Sequence, residues 1–383
     1  MTIDCAGDFE LEDGVAYLNA AYMAPTPRIV SEAGRAGIAQ KAQPWKCDRA
    51  RVEAQVEHTR KLAAKLIGAS ADDIAIVGSV SYGIAIGCGN LGIPRGSRLL
   101  FMEDEHHSVV LSMRALAERS GAVLDAVLRP ENGDWTRALL ARLSIGGPPV
   151  SIAALTPVHW IDGTMIDLDR IACVLRENGA HLIVDATQAA GIVSIDVQTL
   201  RPDILVFPTY KWLLGPYGLA FLYVAPSLQT GSPLEEHALN RQGLIIPIGP
   251  SEPTPAYAPG ARRFDRGEVE GYITVPMAHS ALTYLAQLNH TQASAHIASL
   301  SQMPVRGLAR FDFALPPAKL RSQHIVCFHP PANSGQRVAD ALAVGDIVIT
   351  QRHGVCRVSP HVYNTLNDIE RLLDAVAVAL RRS

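Results

Sequence analysis

Lys211 stands in an apolar run, Pro208-Thr209-Tyr210-Lys211-Trp212-Leu213-Leu214, that follows the short hydrophobic segment Ile204 to Phe207. Asp185 ends a second such segment, His181 to Val184. Each segment reads as a buried strand, and a charge delivered at the end of a buried strand must answer to something. In parallel α/β sheets, ligands bind outside the carboxyl ends of the strands. An amine and a carboxylate far apart in sequence can therefore face one small molecule.

Pyridoxal phosphate matches that pair. It forms a Schiff base with a lysine and needs an acid at its ring nitrogen to act as an electron sink. Read singly, Asp185 would be a turn cap and Lys211 a solvated lysine; together they point to the cofactor. The surrounding residues, Asp185-Ala-Thr-Gln188 and Tyr210-Lys211-Trp-Leu-Leu-Gly-Pro-Tyr-Gly218, resemble those of the class V aminotransferase family. That family includes cysteine desulfurases, kynureninase and isopenicillin-N-epimerase-like proteins. The resemblance implies a fold-type I α/β architecture: a mostly parallel seven-stranded sheet in a large domain plus a smaller C-terminal α+β domain. It also implies a homodimer acting on a small α-amino acid.

The elements that must carry these groups alternate along the chain. A helix is expected from about Ile29 to Lys41, and another from Asp48 to Ile67, where Val52, Val56, Leu62 and Leu66 recur at helical spacing. Ile74 to Val77 reads as a buried strand. Gly78-Ser-Val-Ser-Tyr-Gly83 then opens a helix to about Leu91, and a helix start after a strand offers backbone N–H groups to an anion. With a phosphate required, Ser81 is assigned to it by side chain and Val80 by backbone. The strand Arg98 to Met102 delivers Glu103-Asp-Glu-His106-His107, which resembles the desulfurase EHH stretch whose first histidine stacks on the pyridine ring. His106 is the matching residue, and an imidazole also suits proton transfer near neutrality. The other reading makes it a helix cap.

Strands Val123 to Leu128 and Val150 to Leu155, with helices near Trp135 to Leu143 and Leu168 to Glu177, continue the pattern. By the resemblance, Gln188 bonds the cofactor's phenolic oxygen and Tyr210 its phosphate. His159 or Trp160 stands where desulfurases place an asparagine. Leu219 to Val224 should run antiparallel to its neighbours. The Gly- and Pro-rich stretch from Gln229 to Arg263 is expected to form a long loop over a site, and a helix from about Val275 to Leu288 to link the domains.

The C-terminal part reads as strand Gln323 to Phe328, helix Gln336 to Val344, strands Asp346 to Thr350 and Val355 to Ser359, and helix Asn367 to Leu380. Arg357-Val-Ser-Pro-His-Val-Tyr-Asn364 resembles the family's substrate-carboxylate motif, and a guanidinium fits a carboxylate as a bidentate fork. Asn19, in the opening run Tyr17 to Tyr22, either reaches the substrate carboxylate or satisfies a turn. The domain division is 1–28, 29–262 and 263–383.

A net charge of −3 offers no electrostatic case for nucleic acid or an anionic membrane. No apolar run reaches the roughly 18 residues of a membrane span, and the acidic start is unlike a signal peptide. A cytoplasmic protein is expected. The 6 cysteines lack any metal-ligand spacing, so neither a zinc site nor a disulfide framework is expected. Desulfurases carry a nucleophilic cysteine on a loop before the carboxylate-binding arginine, whereas here only the tight turn Gln351-Arg-His-Gly354 intervenes. Elimination from a desulfurase-like site without that cysteine is the leading reaction, ahead of transamination or epimerisation. A non-catalytic cofactor-binding protein is the reading from another class.

Overall fold

The computed structural model describes residues 5–243, 249, 252–311, 313–352 and 354–381. The chain starts with a two-residue strand β1 (Ala16–Tyr17), then helices α1 (Arg28–Ala42) and α2 (Arg49–Leu66). A β-α alternation follows: β2 (Ile74–Val77), α3 (Val80–Asn90), β3 (Arg98–Met102), α4 (His107–Ser120), β4 (Val123–Val127), α5 (Trp135–Leu143) and β5 (Val150–Leu155). It continues through α6 (Leu168–Glu177), β6 (His181–Asp185), α7 (Val197–Leu200), β7 (Ile204–Pro208) and β8 (Ala220–Val224).

These strands form the expected seven-stranded sheet, in the order β2-β8-β7-β6-β5-β3-β4. Only β8 runs against its neighbours, pairing antiparallel with both β2 and β7. The period-two alternation of side chains divides each central strand between two cores. Leu182, Val184 and Leu205 pack on one face, and Ile183, Ile204 and Val206 on the other. Because both faces are covered, the strands read as continuous apolar runs. Gly83 lets α3 lie close to β7, since a Cβ there would stand 2.8 Å from Val206 Cγ2.

After α8 (Thr274–Gln287) comes a helix the sequence reading left unassigned, α9 (His290–Leu308). Its interior Pro304 and its Ser, Thr and His content hide a helix from propensity alone. Then follow β9 (Val326–Phe328), α10 (Gly335–Val344), β10 (Ile347–Val348), β11 (Thr350–Arg352), β12 (Val355–Val358) and α11 (Leu366–Arg381). The expected strand Asp346 to Thr350 is therefore two strands, and the cause is a change of partner. β10 pairs in parallel with β1, while β11 pairs with β12 in the sheet β11-β12-β9. His353, within the expected tight turn, lies outside the described residues, but the register Arg352↔Val355 fixes a short connection.

None of the described residues of the stretch Gln229 to Arg263 lines the Lys211 cavity. Pro247 and Pro250 lie outside the described residues. No helix among the described residues is long and apolar enough to cross a membrane.

One buried ion pair ties α2 to the segment before α8. Arg60, 1% exposed, donates to both carboxylate oxygens of Asp265 (2.9 and 2.8 Å) and to the Ile74 carbonyl (2.6 Å). Asp265 also accepts from the Ile76 N–H at 2.7 Å. Removing one partner of such a pair strands the other charge, which costs about 3–5 kcal/mol. Arg60→Ala should lower the unfolding free energy in urea by about that amount; an unchanged midpoint and slope would contradict this role.

Candidate active site

The carboxyl ends of β6 and β7, neighbours in register Asp185↔Val206, open on a cavity of about 200 Å³. Lys211, Asp185, Gln188, His106, Val80, Ser81 and Tyr210 all line it. Seven residues singled out from four separate stretches of sequence thus meet in one place.

Asp185 is 5% exposed and is fixed by its neighbour: the Thr187 N–H donates to Oδ1 at 2.9 Å, and the Thr187 hydroxyl donates to the same oxygen. No partner for Oδ2 is found among the described residues, which leaves one carboxylate oxygen for a ligand. Lys211 sits on a tight loop. Thr209 bonds the Pro216 and Leu219 carbonyls through its hydroxyl, and the Gly215 N–H returns to the Thr209 carbonyl at 2.8 Å. Within the loop Leu214 holds φ +56°, an uncommon conformation for a side chain of that size. The Lys211 amine has no hydrogen bond or ion pair among the described residues. Burial, with Arg357 and Arg352 adding to it, lowers its pKa to about 8 against the opposing pull of Asp185. The other five of the six lysines are exposed, so Lys211 alone among them is withdrawn from solvent.

At the opposite wall, Ser79 caps α3. Its hydroxyl accepts from the Tyr82 N–H at 3.1 Å and lies 2.9 Å from the Ser81 hydroxyl. Gly78, Ser79, Val80 and Ser81 together present an anion with two hydroxyls and the positive end of a helix. Sequence reading missed Ser79, although a serine just before the first helical residue is itself a cap signal.

Gln188 is already engaged. Its Oε1 accepts from Trp212 Nε1 at 2.9 Å and its Nε2 donates to the Ala21 carbonyl at 3.0 Å. One N–H remains for a ligand. Behind it Trp212 stacks on His361 at an interplanar angle of 21° and meets the edge of His324. Burial pushes both histidines down to about 4, so this supporting layer is neutral. Tyr210 packs on Tyr217 at 4.6 Å, and burial raises its phenol to about 12, keeping it a donor.

His106 occupies a position where a helix start meets the cavity. It caps α4, accepting from the Ser108 N–H at 3.3 Å, and also lines the cavity, with its ring 5.5 Å from Trp160. Partial loss of water lowers its pKa, Asp185 opposes this, and Lys211 adds to it. The two candidates at the asparagine position separate: Trp160 lines the cavity, whereas His159 is fully buried and stacks on Trp135.

Arg357 and Asn19 stand apart from this cavity. Arg357 lines a second, larger one of about 860 Å³ that shares Glu105 and Trp160 with the first. Its guanidinium donates to the Trp160 carbonyl and, at 3.2 Å, to the Thr350 hydroxyl. Thr350 in turn donates to Asn19 Oδ1 at 2.7 Å. Asn19 lines neither cavity; its side chain is joined to Arg357 through the Thr350 hydroxyl, and its backbone carbonyl accepts from the Tyr22 and Met23 N–H groups of the turn that follows.

Glu105 was not foreseen as a site residue, although it closes an acidic run at a strand end. It is 6% exposed, accepts from the His106 N–H at 2.9 Å, and its Oε2 is buried without a partner. Burial, with Asp185 adding to it, raises its pKa to about 8 from an ordinary 4.5. Between those values the folded chain keeps a proton that the unfolded chain releases, so stability falls as pH rises toward 8. Glu105→Gln should therefore gain melting temperature over the parent at pH 8 and little at pH 5. An equal difference at both pH values would contradict this account of Glu105.

Comparison with known proteins places this geometry. The model of the family described as Aminotransferase class-V matches residues 46–372. A cysteine desulfurase of Klebsiella pneumoniae is 26% identical over 381 residues, covering 94% of this chain and 92% of the relative. An uncharacterized aminotransferase, YcbU, of Bacillus subtilis is 28% identical over 325 residues, covering 84% and 83%. Among solved structures, the apo cysteine desulfurase of Thermococcus onnurineus superposes with a TM-score of 0.86 at 21% identity, over 100% of this chain and 99% of that one. With a fold-type I sheet and a family match over most of its length, the chain belongs to the class V aminotransferase family of pyridoxal-phosphate-dependent enzymes.

Proposed function

We propose that the chain acts on a small α-amino acid through a cofactor attached to Lys211, and that its leading reaction is elimination. The observation that carries this reading is the Lys211 amine and the free Asp185 Oδ2 facing one cavity whose far wall is a helix start. These residues fit pyridoxal phosphate: Lys211 attaches it, Asp185 holds the ring nitrogen protonated, and Gln188 offers its spare N–H to the phenolic oxygen. Ser79, Val80 and Ser81 receive the phosphate, with Tyr210 as a further donor. When bound, the cofactor supplies an electron sink for the pair left on Cα. Arg357 holds the substrate carboxylate. With the group held there, Lys211 would also move the proton at Cα, and its depressed pKa leaves a fraction unprotonated near neutrality. His106, on the same cavity, would exchange protons with the bound substrate.

Transamination is the second reading, favoured by the relative named as an aminotransferase. Both readings need Asp185, so Asp185→Asn should retain cofactor binding yet lower turnover by orders of magnitude. The decisive assay incubates the holoenzyme with an amino-acid panel and follows keto acid, sulfide and Cα-hydrogen exchange. Absence of all three with every amino acid would overturn an enzymatic role and leave a cofactor-binding protein.

If sulfur is released, the chain's own cysteines do not carry it. Cys356 packs in the C-terminal core, on the opposite face of β12 from Arg357, and burial pushes its thiol to about 12. Cys327 pairs with Arg357 in register and so shares its face. It is nonetheless 2% exposed, bonds the Ile161 carbonyl at 3.1 Å, and is held far above the ordinary thiol range by burial. The thiolate is the nucleophilic form, and neither site favours it. Cys327→Ser and Cys356→Ser should each keep at least half of any sulfur release. Loss of that release in either variant, with cofactor binding intact, would restore a persulfide route.

A further inference from the structure

We infer that the substrate carries a second anionic group, beyond its α-carboxylate, and that Arg352 binds it. The inference rests on the reading of Arg357 as the α-carboxylate clamp and extends it to the substrate's side chain.

The hairpin β11–β12 sets the two arginines. Thr350 pairs with Arg357 across the hairpin, and Arg352, two residues on from Thr350, returns to the same face. Arg357, which is buried, and Arg352, which is exposed, both line the 860 Å³ cavity, and neither has a carboxylate partner within ion-pair distance among the described residues. Burial is the main cause of the depressed pKa of Arg357, of Lys211 and of His106, and the charge of Arg352 adds to it in each. Two uncompensated cations sharing one recess repel, and an α-carboxylate answers only one of them.

The cavity's acids do not fill that need. Asp104 and Asp162 are both taken by Arg129, at 2.6 and 2.5 Å. Glu103 accepts from the Arg129 N–H and is exposed, and Glu105 is held largely protonated at neutral pH by burial. Glu131, the remaining acid, is exposed and pairs with neither arginine, so the hairpin end keeps two cations without a carboxylate partner among the described residues, and the volume exceeds what a small uncharged amino acid occupies. A carboxylate, sulfinate or sulfonate on the substrate side chain would complete the charge balance, with Arg352 supplying a planar fork. The competing possibility is a solvated arginine resting near the Tyr22 ring, 5.9 Å away.

The test titrates the holoenzyme with matched amino acids and follows the cofactor's absorbance, which reports binding without turnover. L-Aspartate and L-cysteinesulfinate are compared with L-alanine and L-cysteine, for the parent, Arg352→Gln and Arg352→Lys. The parent should bind the dianionic members at least about tenfold more tightly. Arg352→Gln should erase that preference by weakening only the dianionic members, about 10–100-fold, and Arg352→Lys should restore part of it. Equal affinities in the parent, or a preference that survives Arg352→Gln, would overturn the inference while leaving the Lys211 reading intact. No spectral response to any amino acid would instead overturn both.

Discussion

The structure depends on the adjacency of β6 and β7, because their parallel pairing brings a carboxylate and an amine to one opening. Asp185 ends β6 directly, whereas Lys211 needs the turn after β7, and that turn is held by Thr209 and Gly215 around a left-handed Leu214. Such backbone persists only where its surroundings over-determine it. The buried Trp212, stacked on His361 and bonded to Gln188, does so from behind. The same side chain thus fixes the loop of Lys211 and the amide of Gln188.

Low solvent access then sets the chemistry. One cavity depresses the Lys211 amine and raises the Glu105 carboxyl and the Tyr210 phenol, and in each case burial disfavours the charged form. The arginines at the β11–β12 hairpin push Lys211 further in the same direction, while Asp185 resists. An amine and a carboxyl both brought to about 8, with an imidazole near Asp185, are a set suited to moving protons. Arg357 is separated from that set by Trp160, to whose carbonyl it is bonded, and Trp160 lines both cavities.

Most of the sheet was legible because its strands are buried on both faces and carry unbroken apolar runs between turn residues. The cavity wall was legible for a related reason: Asp185, Lys211 and Ser81 sit at or just after strand ends or at a helix start, where side-chain direction follows from the backbone. What escaped depends on contacts distant in sequence. Asn19 meets Thr350, more than 300 residues away, and no local pattern records that bond. Glu105 closes an acidic run, and nothing in that run records that its Oε2 is buried. The division of Asp346 to Thr350 follows from β1 claiming only its first half, and α9 was hidden by Pro304 and weak propensity.

The central claim is that Lys211 is the point of cofactor attachment. Reducing the holoenzyme with borohydride, digesting it and mapping the pyridoxyl group by mass spectrometry tests this most directly. The account predicts a single labelled peptide containing Lys211, and a label on any of the other five lysines, with none on Lys211, would contradict it.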